Sequence, residues 1–480
     1  MRLVPIAACC VLAAASASAE PATPEGAKAL AQSYAAYLSP KALEKGIVTV
    51  TPDGDDYAVS WDVEKALAAL GARPGAVRMA PFVYRVAPTP GGGWLARASA
   101  LPGLTIAPSQ EGGRDGGTVG FDGFRFDGLY DAAAAEFFRG KLGLDAVKAD
   151  VKAKSGDDLQ HVRMSYDALG AEIRIKPGAD ADSVDVALPQ SLNGASQQTA
   201  LVDGDKEAPL TDTRQGAAVG DSAATGLRAK AFGDLWRFLV AHADEDKPPA
   251  EELKAKLTAL LPLWRELSDK VDVDDVAVSF PGGSLSFKSV SETARMTGLA
   301  EESSLALTLG FKQIDAEAPS APDWVRSVWP ASLTLTLEAG VDGLDKAAKL
   351  ALDDPDFVSN GKLGDEAQNA IAELLTQGRP HVSLSAGLLS TPLVEATFEG
   401  DASFGEEGPE AHAKITADTL DKVLETLAKA VEKQPSAQQA LYLATFARGL
   451  AKTEDGRMVW DIEYLGANSV EVNGQKFPPQ

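Results

Sequence analysis

The sequence predicts an α+β fold: a large, mainly antiparallel, amphipathic β-sheet (or sheets) with paired helices packed on one face. Three observations carry this. Strand-like segments alternate apolar and polar residues with period two, the mark of strands with one buried and one wet face. Helix-like segments come in adjacent pairs, most with one apolar stripe. The chain has 480 residues, more than the roughly 250–300 at which a single core stops growing. Two lobes, or one long sheet with several helical packs, are therefore expected; as lobes, residues 20–190 are β-rich and 227–480 are α+β with three helix pairs. Residues 191–226, polar and rich in Gly, Ser and Thr, are expected to be a connector, with an edge strand as the alternative.

The first nineteen residues read as an export signal. Arg2 supplies a positive start, Leu3 to Ala15 an apolar run, and Ala17-Ser18-Ala19 a small-x-small cleavage site. Cleavage is expected before Glu20. The alternative, a lipoprotein signal cut before Cys9, leaves an apolar stretch of about six residues, shorter than the usual 7–15. Neither this run nor any later one reaches the about 20 residues that span a bilayer. Cys9 and Cys10 are the two cysteines, and both precede Glu20. An exported chain would carry none, and its core would have to hold it without disulfides.

The formal net charge is −24, and loss of Arg2 moves it to −25. That charge speaks against nucleic acid, whose recognition rests on clustered Lys and Arg. It also speaks against an anionic membrane surface. Aromatic residues make up only 6% of the chain, so an aliphatic core is expected.

The strands follow in order. "YAVSWDV" places Tyr57, Val59, Trp61 and Val63 on one face. "VDVDDVAVSF" slips phase: Val271 and Val273 have one parity, Val276, Val278 and Phe280 the other. A bulge or kink at Asp274-Asp275 would restore facing. "SLALTLGF" alternates Leu305, Leu307, Leu309 and Phe311 with small or polar residues; "SLTLTLEA" does the same with Leu333, Leu335 and Leu337. Near the end, Asn473-Gly474 signals a type I′ hairpin turn.

The helix pairs are "AFGDLWRFLVAHA" with "EELKAKLTALLPLWREL", "GLDKAAKLAL" with "DEAQNAIAELL", and "TLDKVLETLAKAV" with "SAQQALYLATFARGL". Phe232, Leu235, Trp236 and Leu239 share helical spacing, and Pro262 is expected to kink the second helix. Ser436 and Gln439 have the spacing of a capping box. Leu443, Phe446, Ala447 and Leu450 make the last helix amphipathic. Leu344-Asp345-Lys346 and Leu420-Asp421-Lys422, 76 residues apart, hint at a recurring strand–helix–helix unit.

Residues for chemistry are few. The four histidines are His161, His242, His381 and His412, and none forms a His-Glu-x-x-His zinc helix. Three sit in or beside strands, where a hydrogen-bonded histidine is expected. His242 precedes Asp244, Glu245 and Asp246, but at a helix end a cation is favoured by the dipole, so a structural role is expected. "VGDSAATG" resembles the Gly-Asp-Ser block of some esterases and nominates Ser222, without the G-x-S-x-G elbow. "GGTVGFDGF" comes within one residue of a calcium β-roll nonapeptide but occurs once, whereas that architecture stacks copies. In "GFDGFRFDGLYD", a regular strand would put Asp122 and Asp127 on opposite faces, with Phe124 and Phe126 sharing one. A strand bounded by turns is expected there.

"GFRFDGLYD", "WPASLTLTLEAGVDGLD" and "GRMVWDIEYLGANSVEVNGQKF" resemble segments of an exported proteobacterial (alphaproteobacterial-type) periplasmic family of unknown function. That family loosely resembles AsmA- and YdgA-like envelope proteins. The resemblance spans roughly residues 30–475 and includes no catalytic motif. The transmembrane anchor usual in AsmA-like proteins has no counterpart here. The resemblance implies a periplasmic location and an envelope-related role, and transfers no site residues. The expected function is non-enzymatic: binding of lipid or another apolar ligand in a groove between sheet and helices, with lipid or envelope proteins as partners. Two alternatives stay open: an interaction scaffold without ligand, and a hydrolase using Ser222 or an unrecognised carboxylate. No catalytic, metal or cofactor residues are assigned, and no cofactor is expected.

Overall fold

The computed structural model describes residues 22–89, 93–109, 115–131, 137–180, 182–243, 245, 248–405, 408–464, 466 and 470–477. Strand makes up 52% and helix 25%, so the molecule is sheet-dominated, as the period-two alternation predicts. The chain divides into two units. One comprises residues 1–208 and 224–260, the other 209–223 and 261–480.

In the first unit, α1 (Pro24–Leu38) and α2 (Pro40–Glu44) precede β1 (Val48–Asp53), β2 (Asp56–Trp61) and α3 (Val63–Ala69). Then come β3 (Val77–Met79), β4 (Phe82–Pro88), β5 (Trp94–Ala98), β6 (Leu104–Ile106), β7 (Gly116–Asp122) and β8 (Arg125–Asp131). Three long strands follow: β9 (Phe137–Ser155), β10 (Asp158–Pro177) and β11 (Val184–Asp203). β12 (Lys206–Gln215) and β13 (Ala218–Leu227) come next, and most of their residues, 209–223, are counted with the second unit; α4 (Ala229–Ala241) and α5 (Ala250–Ala259) belong to the first. Residues 191–226, connector-like in composition, are strand for most of their length. Polar side chains suit such a ladder when they pair across it, as Ser165 and Ser196 do at 2.8 Å.

α1 was not among the helices expected from the sequence, yet it lids the core of its unit. Thr23 caps it by accepting from the Gly26 N–H, and Pro24 opens it. Ala27, Leu30 and Tyr34 pack with Val48, Tyr57, Val59, Tyr84, Val86 and Trp94. Most of this core is aliphatic, as expected, with five aromatic residues, Tyr34, Tyr57, Tyr84, Trp94 and Phe124, set within it. Tyr34 meets Trp61 edge-on at 6.2 Å, and Tyr57 meets Trp94 at 6.1 Å. The hydroxyls of Tyr34 and Tyr84 share a hydrogen bond of 2.8 Å. Tyr57 and Val59 are buried, as expected. Val63 leaves the strand because Asp62 accepts the Lys65 N–H and starts α3.

Strands β7 and β8 lie end to end along β9 in one unbroken register, with Asp122 opposite Ala146 and Arg125 opposite Gly143. Between them Gly123 adopts φ +60°. Its neighbour in that register is Asp145, whose own position on β10 is Ala168, with φ +45°. The phase of the apolar pattern flips along this line. Leu144 and Ala149 are both buried although five residues apart on β9, which a regular strand would forbid.

The second unit repeats the device. It contains β14 (Glu266–Phe280), β15 (Gly283–Thr297), β16 (Glu302–Glu317), α6 (Asp323–Val328) and β17 (Ser332–Asp342). Next come α7 (Leu344–Asp353), α8 (Pro355–Asn360), α9 (Asp365–Gln377), β18 (His381–Ser390), β19 (Glu395–Gly405) and β20 (Gly408–Ala417). The remainder is α10 (Asp421–Val431), α11 (Ala437–Leu450), β21 (Lys452–Glu454), β22 (Arg457–Tyr464), β23 (Val470–Val472) and β24 (Gln475–Phe477). Strands β14 to β20 form an antiparallel meander that continues into β22, β23 and β24. The phase slip expected in β14 is present as a kink at Asp275, φ +50°, and it recurs at Gln313 of β16, φ +49°. The register is the same on both sides of Asp275, so the device is a left-handed residue and not an inserted one.

The hairpin turn at Asn473-Gly474 has both residues at positive φ, 53° and 79°, as type I′ requires. Two helix details differ from expectation. α5 stops at Ala259, and Glu266 to Leu267 already belong to β14, so the Pro262 segment ends the helix and does not kink it. Ser436 makes no side-chain cap on α11; its own helical φ of −61° is not the extended backbone that a capping box needs. Strand–helix–helix units do recur: β17 leads into α7, α8 and α9, and β20 into α10 and α11.

Candidate functional site

Ser222 lies in β13 and donates to Asp269 Oδ1 at 2.6 Å. A serine nucleophile needs a base on its hydroxyl, and here the hydroxyl is given to a carboxylate in a sheet. His242 ends α4; its Nδ1 bonds the Phe238 carbonyl at 2.9 Å and its ring packs on Phe238. Glu245 Oε1 is 4.0 Å from its Nε2, while Asp244 and Asp246 lie outside the described residues. His381 Nδ1 is 3.4 Å from the Arg379 carbonyl, and His412 Nε2 is 2.7 Å from Asp461.

Asp122 and Asp127 are both exposed. The opposite-face expectation fails because Gly123 interrupts the regular alternation between them. They still stand roughly 16 Å apart along the strand direction, too far to share an ion. Asp127 pairs with Arg97 instead. Phe124 and Phe126 do share the core side. Among the described residues no group of three His, Cys, Asp or Glu is placed to hold a metal ion.

One histidine is set in a polar cluster that sequence alone did not assemble. His161 of β10 is buried. Its Nε2 lies 2.7 Å from Asp150 Oδ1 on β9, and its Nδ1 lies 2.6 Å from Glu207 Oε1 on β12. Arg163 reaches Glu207 Oε2 at 2.9 Å. His161, and then Arg163, hold the Glu207 carboxyl below the usual carboxylate range. Arg163 Nη2 is also 3.0 Å from Nδ1. Both ring nitrogens are thus engaged by protein groups, Nε2 by Asp150 and Nδ1 by Glu207 and Arg163. The cluster is a clasp across three strands. Beside it a cleft of about 550 Å³ is lined by Leu104, Thr105, Thr118, Lys148, Asp150 and Arg163, among others.

The other feature is apolar and belongs to the second unit. Residues directly opposite in an antiparallel ladder share a face. Leu305 stands between Met296 and Ala339, and Ala339 faces Val382. Leu307 faces Leu337, which faces Leu384; Phe311 faces Leu333, which faces Leu389. The intervening positions, such as Thr308 opposite Thr336, form the polar face. The alternation read from the sequence is therefore real. Its consequence is not a filled core: none of Leu305, Leu307, Leu309, Phe311, Leu333, Leu335, Leu337, Val382 and Leu384 is buried. Leu305 is 49% exposed, Leu337 39% and Val382 40%. The same face is closed farther across the sheet, where Ala417 and Trp460 are buried. There Trp460 Nε1 donates to the Ala447 carbonyl of α11 at 2.7 Å.

Comparison of the chain with protein-family models, with curated proteins and with solved structures finds no match. The site is therefore read from its own chemistry.

Proposed function

We propose that this chain is an exported, non-enzymatic protein of the periplasm, as its resemblance to envelope proteins implies, and that it binds the acyl chains of a lipid. The observation that carries the reading is the half-open leucine ladder of β16, β17 and β18. Contiguous apolar patches of several hundred Å² are uncommon on soluble proteins and mark interaction sites. Burying each such side chain is worth about 1.5–3 kcal/mol, so an acyl chain laid along the ladder gains several such increments. The strand alternation supports this use: one face is wet, the other offers a smooth aliphatic surface without buried polar atoms to satisfy. Helices α10 and α11 cover the far end of that face, which supports a groove between sheet and helices. The Ser222–Asp269 pair and the fully engaged His161 lend no support to a hydrolase.

The test is native mass spectrometry and lipid extraction of the purified full chain. A co-purified, exchangeable lipid is expected. Leu307→Asp and Leu337→Asp are expected to abolish it, with the thermal midpoint little changed, because both positions are only half-buried. A chain that carries no lipid, and takes none up from detergent-dispersed phospholipid, would overturn the reading in favour of a ligand-free scaffold.

A further inference from the structure

Leu443 and Phe446 belong to the stripe that makes α11 amphipathic in sequence. In the structure they point out. Tyr442 is 68% exposed, Leu443 56% and Phe446 49%. The rings of Tyr442 and Phe446 stack at 6.5 Å. α11 is anchored at its ends: Ala437 is buried at its start, and in its last turn the Ala447 carbonyl takes the Trp460 N–H and the Leu450 carbonyl takes the Asn473 side-chain amide at 2.7 Å. Between those anchors it displays two aromatic rings and a leucine to solvent.

The charge of this helix differs in sign from that of the chain as a whole. The whole carries −24, yet the fourteen residues of α11 include no carboxylate and one cation, Arg448. Over α10 and α11 together, four cations (Lys422, Lys429, Lys433, Arg448) face three anions (Asp421, Glu425, Glu432) across residues 421–450. α11 itself brings no carboxylate toward a lipid phosphate, and its one cation, Arg448, is paired with Asp421 of α10 at 2.7 Å.

Area decides between occupants. The exposed parts of the three side chains amount to roughly 350 Å². A second copy seated on them would need about 800 Å² per partner for a stable interface. Shallow insertion at a bilayer surface needs only an apolar stripe with aromatic residues at the headgroup level.

We infer that the outward stripe of α11, Tyr442, Leu443 and Phe446, is the contact by which the second unit docks on a lipid bilayer. The inference rests on the lipid-binding reading and adds the surface from which the ligand would be drawn. Among the described residues no helix is long and apolar enough to cross a membrane, so the contact is interfacial.

The experiment is co-sedimentation of the full chain with phosphatidylcholine vesicles, with and without added phosphatidylglycerol. Binding to the neutral vesicles is expected, weakened by phosphatidylglycerol because the chain is strongly acidic. Tyr442→Ser and Phe446→Ser should each weaken partitioning about tenfold, while circular dichroism melting stays unchanged because the positions are exposed. Absence of vesicle binding in the wild-type chain, or equal binding by the variants, would overturn the inference. So would a concentration-dependent dimer in sedimentation velocity that the variants abolish, which would assign the stripe to a second copy. Lipid retained by the α11 variants but lost by Leu307→Asp separates docking from ligand binding.

Discussion

Gly123 shows how one residue can govern a whole ladder. It sits where β7 passes into β8, with φ +60°, and a Cβ there would overlap the Asp145 carboxylate. That carboxylate is already engaged by Arg125 at 3.0 and 2.5 Å. Gly123→Ala should therefore cost about 1–2 kcal/mol, read as a lower urea midpoint with an unchanged slope. An unaltered midpoint would mean that the left-handed turn is not under constraint. The Phe-Asp-Gly triplets were legible as strand with glycine punctuation, but their parity was misread. Strand parity assumes extended backbone at every step, and no pattern of residue types announces that one step is left-handed.

Glu207 offers a pH test at the same scale. Its pKa is depressed by His161 and Arg163. A depressed carboxylate contributes stability that is present above its unfolded value, near 4.5, and lost as pH falls through the lower folded value. Urea unfolding followed from about pH 6 to about pH 3 should lose stability faster in the wild type than in Glu207→Gln. Equal slopes would show that the clasp does not stabilise the fold. The sequence identified His161 as a strand histidine with a partner. It could not name Asp150 and Glu207, which lie 11 and 46 residues away and meet it only through strand pairing.

Among the elements, the strands were the most legible. Leu305, Leu307 and Leu309 alternate with small or polar neighbours, and the ladder places them on one face as period two demands. What alternation leaves open is whether that face meets another layer. The same holds for α11. Its spacing put Leu443, Phe446, Ala447 and Leu450 on one stripe, yet Leu443 and Phe446 face solvent while Ala447 and Leu450 are partly covered and Ala437, on the other side, is buried. Helical periodicity reports that two sides differ, and packing decides which side turns inward. α1 escaped notice because an alanine-rich segment has too weak a contrast between its faces, although its burial supplies the lid of the first unit. These two open surfaces carry the predictions made for lipid uptake and for docking.

For the whole molecule, composition bears on compartment more than on fold. An acidic chain whose cysteines both precede Glu20 suits an exported protein. Expressed in a Gram-negative host, it should be recovered from the periplasm with an intact mass starting at Glu20. A mass retaining residues 1–19, or a lipid-modified Cys9, would contradict that reading. The low aromatic content agrees with a mainly aliphatic core, but an average over 480 residues hides local concentration: Tyr34, Tyr57, Tyr84, Trp94 and Phe124 gather in one cluster.

By itself the sequence determined the antiparallel, amphipathic strands, the principal helix pairs, the Asn473-Gly474 turn and the phase slip at Asp275. Each is a short-range property, set by residue type and by spacing within a few residues. Only the tertiary structure decided that the division into units returns at 224 to the first, that His161 is clasped between two carboxylates, and that the leucine ladder and the α11 stripe stay open. Those depend on which segments meet across long separations, and a periodic pattern carries the need for a covering surface without saying what supplies it.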